Sequence, residues 1–134
     1  LSFGRAAVAG KGAVAAQLAA VIATRYSAVR KQFRTAAGEE LPVIEYAMQQ
    51  HRVFPLIATA VAHHIFYRKF VTICYKHFKN CFENEDDSEQ RKQLCATSRE
   101  LHVLGCSAKV ILTETGVNAL DEARLACGGH GFVY

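Results

Sequence analysis

Apolar residues recur at three- and four-residue intervals along most of the chain, and no stretch shows the period of two that marks a half-buried strand. The pattern predicts a first helix over residues 5–33. Alanine dominates its early half, with Gly10 and Gly12 near its start, and larger residues follow at Leu18, Val21, Ile22, Tyr26, Val29 and Phe33. Arg25, Arg30, Lys31 and Arg34 place positive charge on its last turns, which suits the negative end of a helix dipole. Residues 35–41 form the connection, with Gly38 available for a tight turn. Pro42 suits the first position of a second helix, over 42–82, whose interior Pro55 predicts a kink. Its apolar set includes Ile44, Met48, Phe54, Ile57, Val61 and Ile65, broad enough to pack on more than one side.

A third helix is predicted over 88–115, with Asp87 and Gln90 spaced as a capping box. Leu94, Ser98, Leu101, Gly105, Ala108 and Leu112 mark one face of it, and Gly116 reads as its end. A short fourth helix follows over 118–127, capped by Asn118, with Asp121 and Glu122 in its first turn. The class is all-α: an antiparallel helical bundle whose short loops make sequential helices neighbours.

Composition narrows the picture. At 134 residues, 51% of them apolar, the chain is one domain at most and has the material for a real core. A formal charge of +4, with its cations gathered at one helix end rather than along a stripe, argues against nucleic acid. Five cysteines inside apolar helical patterns fit small buried hydrophobes in a reducing compartment. The alanine-rich run over 6–23 is interrupted by Lys11, Gln17 and two glycines, so no membrane span is expected. No signal peptide is visible, and the chain opens and closes in mid-pattern, as a segment of a longer protein would.

The chemistry concentrates in three places. Ala126-Cys127-Gly128-Gly129-His130-Gly131-Phe132 reads either as a helix C-cap or as bare backbone that must approach a ligand closely, with His130 exposed between glycines. Arg30-Lys31-Gln32-Phe33-Arg34 reads either as a solvated helix end or as an anion site that combines a forked cation, an amide and a flat ring. Gln49 and Gln50 are paired amides in a segment that is otherwise apolar, so one of them should have a specific partner. Cys74, His77 and Cys81 share a helical face, but three ligands fall short of a structural zinc site, and no metal is expected. No nucleophile-and-base pair, P-loop or paired carboxylate is present, so no catalytic residue is expected within the chain.

Together these stretches resemble the acyl-CoA oxidase branch of the acyl-CoA dehydrogenase and oxidase superfamily. The pieces that carry the resemblance are Arg5 with its alanine-rich helix, residues 26–33, Pro42 to Gln50, Phe54-Pro55-Leu56-Ile57-Ala58-Thr59-Ala60, and Glu122 to Phe132. The resemblance covers essentially residues 1–134 and is closer to the oxidases than to the mitochondrial dehydrogenases. It implies the first part of the C-terminal helical region of a larger flavoenzyme, a region that binds FAD and builds a homodimer. Such an enzyme, peroxisomal in this family, desaturates fatty acyl-CoA to the trans-2-enoyl-CoA, with oxygen reoxidising the flavin to give hydrogen peroxide.

The resemblance assigns Arg30, Gln32, Phe33, Gln49, Gln50, Gly128 and Gly129 to FAD, and Arg5 and His130 to the acyl-CoA substrate. It puts the catalytic glutamate beyond Tyr134, so that residues 1–134 alone should be inactive and bind FAD weakly or not at all. Arg34 stands where relatives have a turn glycine, and Leu125 where many dehydrogenases have a glutamine. The alternatives are a non-enzymatic helical interaction domain and a dehydrogenase in place of an oxidase.

Overall fold

The computed structural model describes residues 2–83 and 88–132. Three long helices form it: α1 (Ser2–Val29), α2 (Ala47–Glu83) and α3 (Ser88–Ala126). Between α1 and α2 the chain makes a small antiparallel hairpin, β1 (Lys31–Arg34) with β2 (Glu40–Pro42), followed by one 3-10 turn at Val43–Glu45. A second 3-10 turn, Gly128–Phe132, follows α3. Cross-helix contacts give the directions. Gln17 meets His64 and Ser27 meets Gln49, so α1 and α2 are antiparallel. Arg5 meets His102 and Tyr26 meets His130, so α1 and α3 run parallel.

α1 is the central helix because its core face is small. Ala6, Ala9, Ala13, Ala16, Ala19, Ala20 and Ala23 are all buried, at the spacing that keeps them on one side. Each alanine removes little apolar area from water, so attraction here depends on backbones lying close enough for dense dispersion contacts. Gly12 and Gly116 allow the closest approach. A Cβ on Gly12 would lie 2.5 Å from the Leu112 carbonyl carbon, and one on Gly116 would lie 2.6 Å from the Gly12 oxygen. Two apolar clusters flank this crossing, one around Val53, Leu56 and Ala119, the other around Phe70, Leu101 and Leu112. Phe3–Val29 is long and apolar enough to cross a membrane by length and composition, and half of that window is buried within the bundle.

The helical class and the antiparallel packing of sequential helices agree with the sequence pattern, while the four predicted helices are three and several boundaries differ. α1 stops at Val29, not at 33, although apolar spacing continues through Phe33. Beyond Val29 none of the described residues buries that spacing: Val29 is 80% exposed and Phe33 63%. The cations Arg30, Lys31 and Arg34 therefore stand after the helix, in or beside the hairpin, rather than on its last turn. Gly38, with φ of 83°, makes the hairpin turn. Pro42 closes β2 instead of opening α2, which starts at Ala47 and continues through Pro55.

The predicted helices 88–115 and 118–127 are one helix. Gly116 is required by contact with Gly12 and does not end it, and Asn118 lies in its interior. Asp121 and Glu122 pair with Arg124 and Arg52 rather than opening a new helix. Asp87, one half of the predicted capping box, lies outside the described residues. Of the broad apolar set on α2, Cys74, Tyr67 and Phe78 pack in the core beside Val53, Leu56, Ala60, His63 and Phe70, while Phe54, Ile57, Val61 and Ile65 face outward.

Candidate functional site

The end of α1, the hairpin, the start of α2 and the turn after α3 enclose a cleft of about 570 Å³. Arg30, Gln32, Phe33, Gln49, Gly128, Gly129 and His130 all line it, together with Tyr26, Tyr46, Met48, Leu125 and Cys127. Stretches far apart in the chain thus meet at one end of the bundle because α1 and α3 run parallel.

Arg30 has no ion pair among the described residues and stands free to meet an anion. The hairpin is attached to the bundle at its base, where the Val43 N–H donates to the Arg30 carbonyl at 2.8 Å. Phe33 has φ of 62°, a left-handed conformation that a bulky residue adopts only under constraint. The strand register shifts between Gln32 and Arg34, so Phe33 is the extra residue of a bulge. Tyr46 supports it. Its hydroxyl donates to the Gln32 carbonyl at 2.9 Å, and its ring meets the Phe33 ring edge-on, with centroids 5.7 Å apart.

Gln49 has a determined orientation. Its Nε2 donates to Ser27 Oγ at 2.7 Å and to the Ala126 carbonyl at 2.9 Å. Ser27 Oγ in turn donates to the Ala23 carbonyl at 2.6 Å, so it must accept from Gln49, and a carbonyl can only accept. Both amide hydrogens are therefore committed to holding the three helices together, and only the Gln49 carbonyl oxygen is left to offer a ligand. Gln50 does not line the cleft.

The glycines of the final turn differ in their reasons. Gly128 has φ of 57° and serves as the left-handed residue that ends α3. A Cβ on Gly131 would run into the Arg124 carbonyl, so that glycine is required by packing. At Gly129, which lines the cleft, neither backbone angle nor neighbour demands a glycine, and a Cβ there would meet nothing within 4 Å. The turn is fastened by Arg124, whose guanidinium lies 4.8 Å from the Phe132 ring centroid and pairs with Asp121 at 2.7 Å. His130 Nδ1 is hydrogen-bonded to the Tyr26 hydroxyl at 3.1 Å. Burial pushes the Cys127 thiol above its ordinary pKa, so it presents neutral sulfur rather than thiolate.

Arg5 is not part of this site. It meets His102 at 3.5 Å, 21 residues before Tyr26 on α1, or about 32 Å along the helix axis. His130 and Arg5 therefore cannot hold one small group together. On α2, His77 Nε2 is engaged by Ser98 Oγ at 2.8 Å and lies 3.6 Å from Cys81 Sγ. Among the described residues, no group of three or more His, Cys, Asp or Glu side chains is placed to hold a metal.

The hairpin and Tyr46 were the parts the sequence pattern did not reveal. All four residues of β1 are exposed, so no alternation marks the strand, and only Gly38 hinted at a turn.

The class these features define is an alanine-cored three-helix segment with a cation-, aromatic- and glycine-lined cleft at one end. The sequence model of the family described as "Acyl-CoA oxidase, C-alpha1 domain" matches residues 1–134, and the chain belongs to the acyl-CoA oxidase family. It is 42% identical to acyl-coenzyme A oxidase acox-3 of Caenorhabditis elegans, over 99% of this chain and 20% of that protein. It is 35% identical to human peroxisomal acyl-coenzyme A oxidase 3, over 99% of this chain and 18% of that protein. Among solved structures, acyl-CoA oxidase1 from Yarrowia lipolytica superimposes with a TM-score of 0.88 at 26% identity, covering 98% of this chain and 20% of that one. Acyl-CoA oxidase-1 of Caenorhabditis elegans, solved in complex with FAD and ATP, gives a TM-score of 0.78 at 33% identity, covering 96% of this chain and 18% of that one. The chain thus spans about a fifth of the length of the relatives it matches.

Proposed function

We propose that this chain is the FAD-holding and dimer-forming helical segment of a peroxisomal acyl-CoA oxidase, which converts fatty acyl-CoA to trans-2-enoyl-CoA and reduces oxygen to hydrogen peroxide. The observation that carries the reading is the convergence of Arg30, Gln32, Phe33, Gln49 and Gly129 on one cleft. The donor set suits FAD. A free guanidinium matches a diphosphate, an exposed phenyl face matches a ring system, and open backbone at Gly129 leaves room for close approach. Gln49 offers only an acceptor, so the atom it meets on the cofactor must be an N–H or O–H. When bound, FAD accepts hydride from the β carbon of the acyl chain and returns the electrons to oxygen.

The roles of these side chains are to bind and orient. Arg30 neutralises the diphosphate, Phe33 fixes a ring plane, and His130, held by Tyr26, lines the same cleft. Gln50 has no part in the cleft, and Arg5, at the far end of α1, would act only on a distant portion of an extended substrate. The outward apolar stripe of α2 fits a region that packs against further protein, including a second subunit.

The test is expression of the full-length protein carrying this segment, with peroxide and enoyl-CoA measured over several acyl-CoA lengths. Stoichiometric peroxide supports the oxidase. Flavin that is reduced by acyl-CoA but persists in air would make it a dehydrogenase, and absence of flavin would leave a non-enzymatic helical domain.

A further inference from the structure

We infer that Tyr46 is a positioning residue that holds Phe33 in its left-handed conformation and thereby presents the phenyl face to the cleft. The inference rests on the FAD reading above and extends it to a residue that need not touch the cofactor. Phe33 is the only non-glycine residue at positive φ among those described, and its ring is largely exposed. Such a conformation persists only where the surroundings over-determine it. The hairpin is tied at its turn by the Thr35 N–H to the Glu39 carbonyl at 2.8 Å and at its base by the Val43 N–H to the Arg30 carbonyl at 2.8 Å, but every residue of β1 is exposed and β2 is only three residues long.

The side chain that bears directly on Phe33 is Tyr46, half-buried where the chain enters α2. Its backbone N–H donates to the Val43 carbonyl at 3.2 Å, and its own carbonyl accepts from Gln49 N–H at 2.9 Å and Gln50 N–H at 3.0 Å. The tyrosine is thus anchored to the helix start while its hydroxyl reaches across to the Gln32 carbonyl at 2.9 Å and toward the Phe33 carbonyl at 3.5 Å. The hydroxyl secures the peptide link entering Phe33, and the ring edge supports the phenyl. A cofactor arriving at this cleft therefore meets a ring already oriented, and the ordering cost of a loose loop is not charged to binding.

The experiment uses the full-length protein in apo and FAD-loaded forms, with Tyr46→Phe, Phe33→Ala and the double variant. Tyr46→Phe keeps the ring and removes one neutral hydrogen bond, so the FAD dissociation constant should rise about three- to tenfold. Amide exchange across residues 31–42 of the apo protein should speed up by a similar factor. The double variant should bind FAD no more weakly than Phe33→Ala alone, because the hydroxyl acts through Phe33. Wild-type affinity in Tyr46→Phe beside a weakened Phe33→Ala would overturn the inference, as would fully additive effects. If Phe33→Ala itself binds FAD like the wild type, the cofactor reading of the hairpin fails. The exchange measurement then still decides the latch, and an unchanged rate in Tyr46→Phe overturns it.

Discussion

Replacing Gly12 with alanine should destabilise the bundle, against the usual benefit of alanine over glycine in a helix. A methyl at Gly12 would sit 2.5 Å from the Leu112 carbonyl carbon and 2.8 Å from Thr113 N. Carbon contacts are comfortable only from about 3.5 Å, so α1 and α3 must part by about 1 Å. The obstructing atoms are backbone and cannot rotate away. Overpacking of this kind costs about 1–3 kcal/mol, and the rigid obstacle places Gly12→Ala in the upper part of that range. The intrinsic helix preference for alanine returns about 1 kcal/mol. The net loss is about 1–2 kcal/mol, equivalent to a fall in Tm of roughly 3–8 °C for a domain of this size.

Gly4 provides the control on the same helix: a methyl added there would meet nothing within 4 Å, so Gly4→Ala should be neutral or stabilising by a few tenths of a kcal/mol. Urea denaturation of residues 1–134 reads both, and the same pair in the full-length protein covers the case of a segment too weak to fold alone. A Gly12→Ala variant as stable as the wild type would refute the close-crossing argument.

Further outcomes follow from burial and hydrogen bonding. His63 is buried with its Nε2 on Thr115 Oγ1 at 3.0 Å, and desolvation lowers its pKa. The unfolded chain then binds the proton more readily, so stability should fall as pH drops below the ordinary histidine range of about 6.5, with a flatter profile in His63→Gln. Urea midpoints between about pH 7.5 and 5 test this, and an unchanged slope in His63→Gln would contradict it. Gln49→Leu strands the Ala126 carbonyl and should cost about 1–3 kcal/mol, whereas Gln50→Leu should cost far less. Burial raises the pKa of Cys74 and Cys127, so alkylation followed by mass spectrometry should label exposed Cys95 well before either.

The helices were legible because periodicity is a local property of the chain, whereas the meeting of Arg30 with Gly129 is a long-range contact that only the family resemblance implied. Gly116 misled because a glycine late in a helical pattern looks like a stop, while the atom that demands it belongs to Gly12 on another helix. On α2 the breadth of the apolar set was legible, but periodicity cannot say which side meets α1 and α3, and Phe54, Ile57, Val61 and Ile65 turn out to face away from them. The hairpin was invisible because exposed strands carry no alternation, and Tyr46 gained its place only once that hairpin existed. At Gly129 the sequence left a cap and a ligand approach equally open. The backbone gives the cap to Gly128 and leaves Gly129 with no internal reason to be glycine.

Everything proposed for this chain depends on the cleft at the Arg30 end of the bundle being where FAD is held. The most direct test is the FAD dissociation constant of the full-length protein carrying Arg30→Ala, beside Arg5→Ala at the far end of α1. Loss of a charge-assisted contact predicts at least about a tenfold weakening for Arg30→Ala, with Arg5→Ala within about twofold of the wild type. Equal affinities for Arg30→Ala and the wild type, or a larger loss at Arg5, would contradict it.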